Sequence, residues 1–437
     1  MEFSRWPRSG GRVLFPLLAL MLAPEPAQKR VAAEVDPSTL EGKVLFGYQG
    51  WFNCPGDGAP ENNWRTWARG APAPDTLTVD MYPDLSEFDP ADLCAVPGFT
   101  IRGRRAYLYS AWNPRIVQAH FRWMKEYGLD GVLVQRFVTS IARRRASGDV
   151  VLKNILAAAR EHGRVFAIEY DVTGSPEDRY IRMIQDDWKY LVEDLKVTSH
   201  PRYLHHKAKP LVSVWGQGLE DPRHPPRRPE PAGQLVAWFQ SGAPPNLRAT
   251  FMGGTPARWR TLTRDAQRDP GWARVYARMD VIQPWTVGRY RDLASADEWR
   301  KEVLEPDLAK TAENNQLYMP VIFPGFSWAN LKKGDPPNKI PRFGGRFLWR
   351  QAWNARAAGA RAENRHVRRG ERKHRHVQAR RQAQRRSGAG LLVDAGRRRV
   401  RPPERLLFAA GPRNHAHVPW GRAADGEPAR GEVTQCR

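Results

Sequence analysis

Short apolar runs alternate with longer segments of helical hydrophobic spacing between Val44 and Gly359. A run of four to eight apolar residues predicts a buried strand, and apolar residues every three or four positions predict an amphipathic helix. The apolar runs predict seven strands: Val44–Phe52, Gly131–Phe137, Val165–Val172, Pro210–Gly216, Ala249–Gly254, Asp280–Tyr290 and Leu317–Trp328.

Helices are predicted between these strands, at Arg115–Asp130, Val151–Gly163, Tyr180–Lys196, Gln234–Gln240 and Phe347–Ala360. Continuous apolar strands that alternate with helices indicate a parallel sheet covered on both faces. Seven such units favour a (β/α)8 TIM barrel in the α/β class over an open doubly wound sheet. No glycine-rich phosphate-binding fingerprint follows any of the strands, which also disfavours the open sheet.

The pattern ends at Arg361, where an eighth strand is needed to close the barrel. The segment from Arg361 to Arg437 contains no Ile, Met or Tyr, and it has 19 Arg against one Lys. Neither the helical nor the strand period continues in it. We therefore predict a barrel over residues 34–360 that is incomplete at strand eight, followed by an irregular, disordered Arg-rich tail over residues 361–437.

A one-base shift of the reading frame accounts for this tail. With permitted codons and the first base dropped, Arg365–Gln378 can read A-M-F-D-E-V-N-E-S-T-A-M-F. The same shift lets Pro402–Gly411 read R-P-S-D-F-Y-L-R-L-A. The first product has an apolar start and an acidic end, as an eighth strand and its loop require. Because the synonymous codons are freely chosen, the frameshift is a hypothesis about the gene.

The charge of the chain is concentrated in the same tail. The 437 residues carry a formal net charge of +24, which alone would suggest a polyanionic partner. The last 77 residues hold 20 Lys and Arg against 7 Asp and Glu, which is more than half of the excess. The tail lacks the Lys, Ser and Gly mixture of nucleic-acid-binding arms. We therefore expect no nucleic-acid partner, and keep binding through the tail as the least favoured alternative.

The N-terminus has the pattern of an export signal. Arg5, Arg8 and Arg12 precede the apolar run Val13–Ala23, and Val31–Ala33 is an acceptable cleavage site. The apolar run has 11 residues, whereas a membrane helix needs about 20. We predict a signal peptide over residues 1–33, a secreted or periplasmic protein, and no other contact with a membrane. An uncleaved interfacial anchor is the alternative.

The three cysteines are Cys54, Cys94 and Cys436. Export favours a Cys54–Cys94 disulfide, which leaves Cys436 unpaired, and two free thiols are the alternative. No CxxC, HExxH or paired histidine spacing is present, so neither a metal site nor a cofactor is predicted.

Several segments in a fixed order resemble a known group of proteins. They are GYQGWF, DMYPDLSEF, HFRWMKEYGLDGVLVQRF, FAIEYDV, DVIQPWTVGRY, FPGFSW and GGRFLWRQAWNARAAG. This order is similar to that in exported bacterial proteins of the glycoside hydrolase family 71/99-like group, some of them labelled xylosidase/arabinosidase. The resemblance covers roughly Gly42 to Gly359. The link to the family 99 endo-α-mannosidases is more distant and rests mainly on barrel layout.

The resemblance to family 99 implies retaining hydrolysis of α-mannosides, assisted by the 2-hydroxyl of the substrate. It places two glutamates in a loop after strand eight, in a pattern like N-E-W-H-E-G-T. The D-E-V-N-E-S-T of the shifted frame aligns with that pattern, but the translated chain has Arg368–Arg375 there. No residue of this chain therefore inherits the catalytic role. We expect impaired turnover, and a non-catalytic carbohydrate-binding protein is the alternative.

Glu169 and Asp171 are the candidate catalytic residues that the strands themselves suggest. They end the third predicted strand two positions apart, so their side chains share one face and lie roughly 7 Å apart. Barrel enzymes carry their chemistry at this end of the strands, and glycosidases use carboxylates about 5–9.5 Å apart. Binding of sugar hydroxyls by Glu169, or a structural ion pair with a barrel arginine, are the alternatives.

Polar and aromatic residues at strand ends are the candidates for binding an oligosaccharide or polysaccharide. Gln135 and Arg136 could bind sugar hydroxyls or orient Glu169. Arg289 and Arg346 could pair with carboxylates in the cleft or lie on the surface. Aromatic planes stack on the C–H faces of sugars, and packing in the core is the alternative for each ring. The aromatic candidates are Tyr48, Trp51, Tyr82, Trp215, Trp285 and Trp328.

Overall fold

The computed structural model describes residues 34–101, 103–226, 228–363 and 391–393. The predicted signal peptide, and the predicted tail apart from residues 361–363 and 391–393, lie outside this range. Seven parallel strands with helices between them curl into an incomplete (β/α)8 barrel, so the predicted fold class is confirmed.

The strands and helices of the described residues follow the predicted alternation. The strands are β1 Val44–Tyr48, β2 Cys94–Ile101, β3 Arg104–Leu108, β4 Gly131–Phe137, β5 Val165–Asp171, β6 His205–His206, β7 Lys209–Trp215, β8 Thr250–Pro256, β9 Val281–Trp285, β10 Leu317–Tyr318, β11 Val321–Ile322 and β12 Leu391–Val393. The helices are α1 Pro114–Tyr127, α2 Ile141–His162, α3 Tyr180–Glu193, α4 Pro229–Ala237, α5 Gly271–Arg278, α6 Leu293–Trp299, α7 Glu305–Glu313 and α8 Arg346–Glu363.

Neighbouring strands of the sheet follow one another along the chain, in the order β1, β4, β5, β7, β8, β9 and β10. Each pair of neighbours is parallel. β10 and β11 form one interrupted seventh strand. The main apolar core lies on both faces of this sheet and includes the fully buried Phe166 and Ile168 of β5. Because both faces of these strands are buried, their sequences are nearly continuous runs of apolar residues.

The position of strand eight is the irregular part of the barrel. Leu391–Val393 lies there and pairs antiparallel both with β1 and with β11, with Leu392 opposite Leu45 and Val321. A complete (β/α)8 barrel has a parallel strand at this position, so the predicted incompleteness at strand eight agrees with the structure. On the neighbouring helix α8, Trp353 is 66% exposed, one of two large apolar side chains exposed among the described residues. Trp353 is therefore a single exposed apolar side chain among arginines on the outer face of α8.

Several boundaries differ from the sequence prediction. α2 begins at Ile141, ten residues before the predicted start. The prediction missed its first turns because three consecutive arginines interrupt the apolar period and the helix is kinked at Arg144. β9 ends at Trp285 because the chain turns at Gly288, whose φ of 83° favours glycine. The sequence reading also missed the hairpin of β2 and β3 and the helices α5, α6 and α7.

An insertion between β1 and α1 forms a second apolar cluster around Phe52, Trp67 and Leu108. A disulfide joins Cys54 to Cys94 within it, with Cα atoms 6.4 Å apart. This insertion therefore carries its own core.

The insertion is tied to the loop after β11 through Asp80. The Asp80 carboxylate accepts hydrogen bonds from the backbone N–H of Ala329 at 2.8 Å and of Asn330 at 2.7 Å, and from the hydroxyl of Ser327. The Asn330 side chain donates to the carbonyl of Val79 at 2.7 Å. We call this set of contacts the Asp80 clasp. It joins the loops that follow the two strands flanking the position of strand eight.

Candidate functional site

A buried polar layer crosses the interior of the barrel around Glu169. Gln135 Nε2 donates to Glu169 Oε1 at 3.0 Å, and Ser213 Oγ donates to Oε2 at 2.9 Å. The ladder register pairs Glu169 with Gln135 on one side and with Ser213 on the other, so the three side chains share one face. Gln283, on β9, gives a further hydrogen bond. Glu169 is therefore a carboxylate fixed by three other strands.

Burial sets the protonation of this carboxyl group. Glu169 is 2% exposed, and burial raises its pKa. The hydrogen bonds from Gln135, Ser213 and Gln283 oppose the shift, and the nearby charge of Asp171 adds to it. A raised pKa suits a group that must share or hold a proton in a binding site.

Asp171 lies two residues further along β5, towards the mouth. It is 7% exposed, and its Oδ1 accepts a hydrogen bond from the backbone N–H of Thr173 at 2.8 Å. Burial raises the pKa of Asp171 to about 6, and the hydrogen bonds from Thr173 partly oppose this. Asp171 is therefore largely protonated at mildly acidic pH, when it can donate a hydrogen bond or a proton.

Two indole rings stand at the carboxyl ends of β7 and β9. The rings of Trp215 and Trp285 meet edge to face, with centroids 5.2 Å apart. A Cβ atom at Gly254 would lie 2.6 Å from the Trp215 Cα, so this close approach requires glycine on β8. The two rings supply an apolar wall beside the carboxylates.

Buried polar atoms near this wall have no hydrogen-bond partner among the described residues. They include Trp215 Nε1, Gln135 Oε1 and Gln283 Oε1. Buried polar atoms in proteins are normally paired, so each such atom calls for an explanation. One donor and two acceptors that face a barrel interior match the hydroxyl groups of a sugar.

Two of the predicted binding residues face away from this interior. Tyr48 is 3% exposed, and its hydroxyl lies 3.0 Å from His120 Nδ1 on α1. Arg136 forms two hydrogen bonds to Asp187 on α3, at 2.8 and 2.9 Å. Because side chains alternate along a strand, Arg136 points to the helix layer when Gln135 points inward. Contrary to expectation, Arg136 is a structural ion-pair partner and does not contact Glu169.

The remaining predicted residues also lie outside the Glu169 layer in the described part of the chain. The Tyr82 hydroxyl accepts a hydrogen bond from the backbone N–H of Tyr107 at 2.9 Å. Trp328 donates to Asp335 in the loop after β11. The exposed Arg346 donates to the backbone carbonyl of Phe343, just before α8, and Arg289 pairs with Asp265 at 2.8 Å.

Trp51 takes an intermediate position. Its ring packs against Phe137 with centroids 5.1 Å apart, and it lines a cavity that also reaches Gln135. Ser213 and Gln283 were missed by the sequence reading. Their signal was a single polar residue inside an otherwise apolar strand, as in PLVSVWG and DVIQPW.

In the stretches that the structure describes, no group of three or more His, Cys, Asp or Glu side chains could hold a metal ion. No helix in those stretches is both long enough and apolar enough to cross a membrane.

Comparison with known proteins supports the fold. No family model matches the sequence, and no curated protein matches it. Two structures of the GH99 endo-alpha-mannosidase from Bacteroides thetaiotaomicron, one in complex with bis-tris-propane, are similar to this chain at TM-scores of 0.51 and 0.50. Both are 14% identical to it and cover 74% of its length, which corresponds to 82% and 81% of theirs. The likeness confirms the TIM-barrel fold.

Proposed function

We propose that this chain is a glycoside-hydrolase-like protein that binds an oligosaccharide or polysaccharide at the carboxyl end of its barrel. The observation that carries the proposal is the buried Glu169 layer, with Asp171 and the Trp215–Trp285 pair beside it. Carboxylates and amides bind sugar hydroxyls, and indole rings stack on sugar C–H faces. The fold shared with endo-alpha-mannosidases supports the same class of ligand.

The proposed parent activity is hydrolysis by two carboxylates. The resemblance implies that these are glutamates in the loop after strand eight, and the translated chain has Arg368–Arg375 in their place, outside the described residues. Both oxygens of Glu169 already accept hydrogen bonds, which suits a fixed binding group better than a nucleophile. We therefore propose that the translated chain binds a glycan with little or no turnover.

The first experiment is to sequence the gene across the codons for Gly359 to Gln378. A missing or extra base there supports an enzyme parent, and a frame that stands as translated supports a carbohydrate-binding protein. The reading frame that is found determines whether the frame-restored protein or the translated chain is the one to assay for hydrolysis.

Binding and hydrolysis by the translated chain are then measured with manno-, xylo- and arabino-oligosaccharides. We expect saturable binding by calorimetry, with release of reducing sugar at the background rate. Trp215→Ala should weaken binding about tenfold through the lost stacking. Trp353→Ala, at an exposed position on α8, is the matched control and should leave binding unchanged. Turnover that disappears in Glu169→Gln or Asp171→Asn would instead make these two residues the catalytic pair.

We also propose that the protein is secreted or periplasmic. The Cys54–Cys94 disulfide supports this location, because disulfides persist in oxidising compartments. Cell fractionation and N-terminal sequencing of the native protein test the proposal. The expected result is a mature chain in the exported fraction that begins at Glu34, and an intact N-terminus in the cytosol contradicts it.

A further inference from the structure

A cavity opens beside the carboxylate layer. It lies between the segment after β1, the end of β4 and the start of α2, and its walls include Trp51, Arg65, Gln135 and Arg144. Gln135 also donates to Glu169, so the cavity adjoins the proposed glycan site.

Positive charge exceeds negative charge in this cavity. Arg65 and Arg144 share one carboxylate, Glu61, at 3.9 and 3.4 Å. The same carboxylate also accepts a hydrogen bond from the Ser147 hydroxyl. One acidic group therefore faces two guanidinium groups.

The third arginine on the cavity wall does not add to this excess. Arg136 is bound by Asp187 at 2.8 Å and lies 4.0 Å from Asp149. The uncompensated charge therefore belongs to Arg65 and Arg144.

The two arginines are partly removed from water. The Arg65 side chain is 19% exposed and that of Arg144 is 33% exposed. Burial, with the nearby charges of Arg144 and Arg143, lowers the pKa of Arg65 to about 10, against the opposing effect of Glu61. A charged group in such surroundings is stabilised by a second anion.

We propose that this cavity is a subsite for an anionic sugar, a uronic acid residue whose carboxylate binds Arg65 and Arg144 while its ring faces Trp51. Guanidinium groups match carboxylates in bidentate geometry. Trp51, held against Phe137, offers the apolar surface for the pyranose ring. The inference rests on the proposed function and names the substrate class of the same site.

The test compares two ligands that differ in one group. The full chain is titrated by calorimetry with methyl glucuronide and with methyl glucoside, at low and at high salt. We expect the uronide to bind about tenfold more tightly at low salt, because hydrogen bonds between charged groups are about twice as strong as neutral ones. The preference should shrink at high salt, since the arginines are partly exposed.

Variants locate the source of the preference. Arg65→Gln and Arg144→Gln should each reduce it to about twofold or less. Arg182→Gln, on α3 with a side chain 85% exposed, removes the same charge at a remote position and should leave it intact. The melting temperature of each variant is measured first, to show that the variant is folded. If a variant fails to fold, the ratio of the affinities of the unaltered chain for the uronide and the glucoside still tests the anionic subsite.

The outcomes separate this inference from the proposed function. Equal binding of the two glycosides overturns the anionic subsite and leaves the glycan site standing. A uronide preference that survives both arginine substitutions also overturns it. If neither glycoside and none of the neutral oligosaccharides binds, the glycan site itself is contradicted.

Discussion

The two sides of the barrel differ in the length and regularity of their strands. On one side, β4, β5 and β7 have seven residues each and pair in parallel, and Glu169 is held by both neighbouring strands. On the other side, β10 and β11 have two residues each, and β12 has three and runs antiparallel to its neighbours. The side that carries the proposed binding groups is intact, whereas the implied hydrolytic glutamates belong to the irregular side. Binding and turnover can therefore be lost separately.

Restoring the frame is expected to have the largest effect. A gene that lacks the first base of the Arg365 codon should encode a continuous eighth strand with two glutamates in the following loop. Hydrolysis of a cognate glycoside should then exceed that of the translated chain by at least about 10³-fold, given what general acid and base groups contribute. The assay is release of reducing sugar, and the same gene with both glutamates changed to glutamine is the control. A repaired chain that hydrolyses no mannoside, xyloside or arabinoside would contradict the proposed parent activity.

On the intact side, Arg136→Ala should destabilise the fold severely. It leaves Asp187, whose side chain is fully buried, without its cation, and breaking a buried ion pair in this way costs about 3–5 kcal/mol. The matched substitution is Arg289→Ala, which removes a more exposed arginine from Asp265 and should cost about 1 kcal/mol or less. Urea unfolding measures both. Similar losses in the two variants would contradict the structural role assigned to Arg136.

Asp171→Asn should change how stability depends on pH. The pKa of Asp171 rises from 3.8 to about 6 on folding, so the folded state holds the extra proton between these values. The free energy of unfolding therefore falls as pH rises through this window, by about 3 kcal/mol in all. Since Asn cannot ionise, the variant should be more stable than the unaltered chain at pH 8 and equally stable near pH 3.5. Asp186→Asn, at an exposed site, is the control, and parallel pH profiles for Asp171→Asn and the unaltered chain would refute the burial argument.

At the irregular side, Leu392→Pro should have the smallest effect. Proline cannot donate to a ladder, but this ladder has only three residues, so the loss should be about 1 kcal/mol or less. Leu392→Ala keeps the N–H group and serves as the control in the same unfolding experiment. A loss comparable to that of Arg136→Ala would mean that the antiparallel segment is an essential part of the sheet.

The sequence predicted most of the barrel because buried parallel strands are apolar on both faces. The predicted strand Gly131–Phe137 has the same bounds as β4. The loops were harder, because the hairpin of β2 and β3 depends on contacts distant in sequence, around Phe52 and Trp67. Propensity is a weak guide where tertiary packing decides.

For the site, the alternation of side chains along a strand was the decisive point. It brought Glu169 and Asp171 to one face, and it also turned Arg136 away from Gln135. The prediction for Glu169 and Asp171 followed this alternation, whereas the prediction that both Gln135 and Arg136 could orient Glu169 did not. Tyr48 and Tyr82 could not be assigned from sequence, because an aromatic residue at a strand end serves a core and a cleft equally well.

The Asp80 clasp has a consequence for how such a protein can change over generations. It joins the rims of the first and seventh strands through residues that precede Glu363, so the link is encoded upstream of the proposed break. A gene with an insertion or deletion after the Glu363 codon still encodes the Asp80 clasp, the Glu169 layer and the Trp215–Trp285 pair. Under the proposed function, one insertion or deletion is enough to remove the hydrolytic glutamates while the proposed sugar-binding groups stay encoded.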